Sequence, residues 1–268
     1  MSDIYETLSN RDEAAYSFRE IMEFSIFANA SSNRSLDLVL RAIDLSQDRI
    51  LEEDHAKIAG FLTDPSNAPY LKDPASVSTI DFREWAVAAT SAGFTELQRH
   101  VSLSALVLAH SYLEEMLCQL LRTIWMWDPK VVVDRVLAGK SLQIDAELLG
   151  GGIPAILQAK FENYTNEFYR LPLLKKVVVM LNLSKEGERR PLTNGYMYDQ
   201  EELQRVDSLR HDLVHKRAIP YSASQAKRDI EFLSGTGFWL LVQVGDARQF
   251  ETALRPGTKV GDMLAKKA

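Results

Sequence analysis

The chain has one cysteine, Cys118, in 268 residues. That excludes an internal disulfide and any zinc site built from several thiolates, and a small apolar core residue is its simplest role. No apolar run approaches the ~18 residues that a bilayer span requires, and the opening Met1-Ser2-Asp3-Ile4-Tyr5-Glu6 does not read as a signal peptide. No membrane association is expected, and a cytoplasmic location is. Basic charge is in deficit too, with 31 Lys and Arg against 37 Asp and Glu and a formal net charge of −6. Coating nucleic acid non-specifically requires broad phosphate neutralisation, so the balance argues against that class of function and leaves a local basic site open. Internal repeats and low-complexity tracts are also lacking.

What is present is helical periodicity, in a composition ordinary for a globular protein. Ala14, Phe18, Ile21, Met22 and Ile26 recur at the spacing of one helix face over 11–29, with Asn10 as cap, and Leu36, Val39, Leu40, Ile43 and Ile50 do so over 35–61. Pro65, Pro69 and Pro74 then mark an irregular connection over 63–79 and the best candidate boundary. His55 reads as a solvated histidine on a helix face. A short helix is expected over 81–91, then a long one over 95–127 after Gly93. In the long one Leu106, Leu113, Leu117, Leu120 and Ile124 share a face, Glu114 lies at its edge one turn from His110, and Glu115 points to solvent.

Trp125, Met126 and Trp127 read as a hydrophobic cap on the bundle, because no basic residues interleave with them as in a base-stacking platform. A short helix follows near 130–137. Gly150-Gly151-Gly152 precedes a helix reaching Tyr169, but no Gly-Lys-Ser/Thr follows, so the glycines read as a turn and not as a phosphate loop. The apolar run 173–183 suits a buried helix or a buried strand by length, and its helical context favours helix. A polar loop over 184–198, with Lys185, Arg189 and Arg190, leads into the stretch that carries the chemistry. A last long helix is expected over 222–244, with Gly235 and Gly237 as kink points, before a tail from about Pro256.

That stretch is Val206-Asp207-Ser208-Leu209-Arg210-His211-Asp212-Leu213-Val214-His215-Lys216-Arg217. Leu203, Val206, Leu209, Leu213 and Val214 predict an amphipathic helix over 199–218. At 100° per residue Arg210 falls inside the apolar stripe, and His211 and His215 lie roughly 100° and 140° round from it. A buried arginine without an anionic partner costs several kcal/mol, so this position calls for a carboxylate, a phosphate or a subunit interface. Arg205, Arg210, Lys216 and Arg217 also outnumber Asp207 and Asp212, which gives a small basic site on an acidic protein.

The order of Arg210, His211 and His215, an arginine followed at once by a polar residue and one helical turn later by a histidine, resembles the hallmark of the HEPN superfamily. His110-Ser111-Tyr112-Leu113-Glu114 is similar to an early HEPN helix in which a Leu-Glu pair approaches that motif. The resemblance covers the helices at about 100–127 and 199–218. It implies an all-α, HEPN-like helical bundle over 79–254, preceded by a helical extension over 1–78 and followed by a C-terminal tail over 255–268. It further implies a metal-independent endoribonuclease with no cofactor, and leaves toxin, anti-phage effector and housekeeping RNA processor open as its role. In it His215 is the general acid/base, Arg210 the phosphate clamp, His211 an assistant and Glu114 an orienting carboxylate. Lys216, Arg217, Arg189 and Arg190 would hold the RNA backbone.

Arg210 and His215 diverge on one helix, so the resemblance also implies a composite site across a homodimer, with an antitoxin or regulatory protein as a further partner. No His-x-Tyr ending follows the motif, which argues against an antitoxin that modifies such a tyrosine. Two alternatives stand beside this reading. One is a non-catalytic dimerisation module in which Arg210 is structural. The other is a metal-dependent hydrolase using His211 and His215 with Asp207 one turn earlier, which lacks the glutamate of a His-Glu-x-x-His site.

Overall fold

The computed structural model describes residues 2–64, 66, 79–141, 149–184, 198–215, 220–248 and 250. The chain is all-α: among the described residues there is no strand. In chain order the helices are α1 (Ser2–Leu8), α2 (Arg11–Thr63), α3 (Thr79–Trp127), α4 (Pro129–Val132), α5 (Gly152–Tyr169), α6 (Leu173–Leu183), α7 (Gln200–His215) and α8 (Ala223–Arg248). The apolar run 173–183 is therefore helix and not strand. A π-helical turn, Val133–Leu137, continues α4. No helix among the described residues is long and apolar enough to cross a membrane.

Two breaks expected from the sequence do not occur. The segments 11–29 and 35–61 form one helix, α2, because no proline or glycine lies between them and the good helix formers Ala30 and Arg34 flank the weaker Ser31, Ser32 and Asn33. Likewise 81–91 and 95–127 merge into α3. Gly93 is exposed with open space where a Cβ would be, so its cost is the ~1 kcal/mol of a helical glycine, which a helix of 49 residues absorbs. The expected kinks at Gly235 and Gly237 do not interrupt α8 either. The connection around Pro69 and Pro74 and the tail over 255–268 lie outside the described residues.

One core joins α2, α3 and α8 with the shorter helices. Ala14, Phe18, Ile21 and Met22 of α2 meet Leu106, Leu117, Leu120 and Leu121 of α3 and Leu233, Leu240 and Leu241 of α8. Phe18 stacks on Phe250, and Trp125 stacks on Phe161 of α5, so Trp125 is core, whereas half-buried Trp127 receives the Arg11 guanidinium on its face. Cys118 is buried among these residues, and burial pushes its thiol up to about 11, which removes it from thiolate chemistry. A cavity of about 390 Å³ lies between α2, α3 and α8, with no charged side chain in its lining. Beyond Ile43 in α2 and before Ser102 in α3, no described side chain is buried, so the distal halves of these two helices form an arm outside the core.

Gly245 marks the tightest approach in the core. A Cβ there would stand 2.9 Å from Cζ of the fully buried Phe18, whereas at Gly237 it would meet the flexible ends of Leu113 and Met116 at 3.1 and 3.3 Å. Gly245→Ala is expected to destabilise the fold by about 1–3 kcal/mol, as overpacking does. At Gly237→Ala the ~1 kcal/mol gained in helix propensity offsets the milder crowding. Thermal melts of the two variants check this, with a clear loss for the first and little change for the second.

Candidate functional site

The helix predicted over 199–218 is α7, with backbone helical from Gln200 to His215. Asp199 caps it, its carboxylate accepting the Glu201 and Glu202 amides at 2.9 and 3.0 Å. Leu203 and Val206 are fully buried and hold its inner face on the core. Two polar clamps then fix its rotation.

The first clamp faces α3. His110, 1 % exposed, donates from Nε2 to Asp207 Oδ1 at 2.8 Å. Its other nitrogen, Nδ1, is 3.5 Å from Glu114 Oε2, an ion-pair distance at which no hydrogen bond is made, so that contact acts through charge. The second oxygen of Glu114 accepts from Lys176 Nζ at 2.7 Å, and Lys176 is buried on α6. Lys176, Glu114, His110 and Asp207 thus form one chain of alternating charge through α6, α3 and α7. Burial opposes charge on His110, but Asp207 and Glu114 outweigh it and raise its pKa above 6.5. Burial likewise opposes charge on Glu114, and His110 and Lys176 overcome it, lowering its pKa to about 2.

The second clamp faces α8. Arg205 makes a bidentate pair with Glu202 at 2.7 Å and also bonds Asp229, which is fully buried and accepts from the Tyr221 hydroxyl at 3.2 Å. Arg205, counted above among the cations of a basic site, is therefore committed to carboxylates.

Arg210 follows one turn after Val206 and Asp207. It lies inward and half-buried, as the helical angles predict, and its Nε is buried without a hydrogen-bond partner. His211 is exposed on the neighbouring flank, and His215 ends the helix, its side chain outside the described residues. Lys216, Arg217, Arg189 and Arg190 also lie outside them. Glu114 is inward and half-buried and Glu115 is exposed, the register read from the sequence. Glu114 is held by Lys176 and His110, and it reaches α7 through His110. Asp207, a ligand in the metal reading, has its carboxylate engaged by His110, which weakens that reading.

Sequence reasoning missed His110, Lys176 and Asp207 as one unit. The signal was present: His110 shares a helical face with Leu106, Leu113 and Leu117, and Lys176 shares one with Leu173, Val177 and Met180. An inward ionisable residue calls for an inward partner.

The cluster sets a pH window for stability. A raised His110 contributes fully below 6.5, and that contribution is lost as pH rises through its folded value. A lowered Glu114 contributes fully above 4.5, and that is lost as pH falls towards about 2. Glu114→Gln is expected to cost about 3 kcal/mol at neutral pH and to flatten the acid limb of the stability profile. Glu115→Gln should stay within ~0.5 kcal/mol of the parent. Urea melts from pH 3 to 9 read both limbs.

Compared with protein-family models, curated proteins and solved structures, this chain matches none.

Proposed function

We propose that this protein is a metal-independent endoribonuclease of HEPN type, whose active site is completed by a second copy of the chain. The observation that carries the reading is Arg210, held on the inward stripe of α7 with its Nε buried and unbonded. The Nε edge of this guanidinium has lost water without gaining a hydrogen-bond partner, and a planar cation in that state suits a phosphodiester. Arg205 on the same helix, by contrast, is paired twice, with Glu202 and Asp229.

The chemistry follows from the residue types. A base removes the proton from a ribose 2′-hydroxyl, the oxygen attacks the adjacent phosphorus, and the 5′-oxygen leaves with a proton from an acid. His215 takes the proton-transfer role, assisted by the exposed His211, while Arg210 binds the phosphate and meets the charge that grows on its oxygens. Glu114 acts at one remove, through His110 and Asp207. One α7 spreads Arg210 and His215 round its axis, so two copies across a twofold axis bring the arginine of one towards the histidines of the other.

A non-catalytic dimerisation module is the second reading, and the same atom favours it, since a carboxylate of a second copy would also satisfy Arg210 Nε. Light scattering and RNA cleavage separate the two. For the endoribonuclease, the dimer cuts RNA in excess chelator and leaves 2′,3′-cyclic phosphate ends. His215→Ala abolishes cleavage with RNA binding largely kept, and Arg210→Ala weakens both. An intact dimer that cuts no RNA, and that Arg210→Ala converts to monomer, establishes the module instead. Cleavage restored only by added metal, with 3′-hydroxyl ends, overturns the metal-independent chemistry.

A further inference from the structure

Asp207 is bonded to His110 and lies one helical turn from Arg210. It accepts from His110 Nε2 at 2.8 Å, and Arg210 comes three positions later, where side chains on a helix are neighbours. The buried cluster holds two carboxylates, Glu114 and Asp207, against the Lys176 ammonium, so its charges balance only when His110 is an imidazolium. The charged groups facing His110 are Glu114 from its own helix and Asp207 from α7, with Lys176 of α6 behind Glu114. Among the described residues, α2 and α8 bring no ion pair to it.

When His110 loses its proton, the cluster keeps an uncompensated negative charge on two partly shielded carboxylates, about a quarter exposed. Arg210, one turn from Asp207 with its Nε unbonded, is the cation at hand to answer it. We propose that His110 and Asp207 are positioning residues for Arg210: protonated His110 holds Asp207 and leaves the guanidinium open to an anion, whereas neutral His110 lets Asp207 draw Arg210 onto itself and close the site. This rests on the reading of Arg210 as the ligand of an RNA phosphate. The raised pKa of His110 puts the change above 6.5, on the neutral-to-alkaline side of an ordinary histidine.

The test uses the full-length protein, His110→Gln and Asp207→Asn from pH 6 to 9 at constant ionic strength. Carbon-detected NMR follows the Arg210 Nε–Cζ signal, assigned with Arg210→Lys, and the His110 imidazole. Fluorescence anisotropy follows binding of a labelled single-stranded RNA under conditions that block its 2′-hydroxyls by methylation. The Arg210 signal is expected to move in step with the His110 titration, and RNA affinity to fall about tenfold across it, within the usual range of coupling between sites. His110→Gln should bind weakly throughout, with its Arg210 signal at the alkaline position. Asp207→Asn should bind tightly throughout, because an amide does not capture the guanidinium.

An Arg210 signal indifferent to the His110 titration overturns the proposal, and this decides the matter in the parent protein even where neither variant folds. A wild-type pH step retained in His110→Gln assigns the step to His211 or His215 and overturns it equally. An Arg210 signal that moves as expected in a protein that binds no RNA at any pH sinks the RNA reading and leaves the switch standing.

Discussion

Removing a charge from water costs several kcal/mol, and the centre of this fold is arranged around meeting that cost with alternating partners. Lys176, Glu114, His110 and Asp207 come from three helices that apolar packing alone would leave free to slide. Leu203 and Val206 seat α7 on the core and, by helix geometry, turn Arg210 inward, but hydrophobic contact has no direction and leaves the helix free to slide by small amounts. The His110–Asp207 bond holds it in register. The Arg205–Asp229 pair fixes the same helix from its other side, and the two keep Arg210 in its inward place.

Two arginines on one short helix illustrate how local surroundings divide a residue type into roles. Arg205 has a carboxylate three positions before it and a buried one on α8, and it serves as a rivet. Arg210 has a carboxylate three positions before it as well, but that one is occupied by an imidazole. The difference between a structural and an available cation is therefore decided by His110, which lies about a hundred residues away in sequence.

The helices of the core were legible because periodicity reports burial: the inner face of α3 and, among the described residues, that of α7 fall where the apolar spacing puts them, and the opposite orientations of Glu114 and Glu115 follow from angle alone. Helix ends were harder to read. The weak formers Ser31, Ser32 and Asn33, and a single glycine at 93, lower local stability by amounts that a long continuous helix absorbs. Pairings between helices were not legible at all. Nothing local to Lys176 announces Glu114, and nothing local to His110 announces Asp207, because those partnerships exist only once α3, α6 and α7 are in place. Arg210 was read correctly as an inward cation for a related reason, since its own stripe sufficed to pose the question and supplied no answer to it.

Among the described residues, the arm formed by the distal halves of α2 and α3 is a pair of helices. There the partners meet through polar links such as Gln98 with Asp44 and Gln47 with Ser91, and no described side chain is fully buried. A helix rises ~1.5 Å per residue, so the twenty residues from Asp44 to Thr63 carry the arm's end ~30 Å beyond the last buried turn of α2. Such a pair opens at a lower free energy than the body it grows from. It also behaves as a pointer: a tilt of a few degrees where it leaves the core, too small to disturb the clamps on α7, sweeps its tip through ångströms.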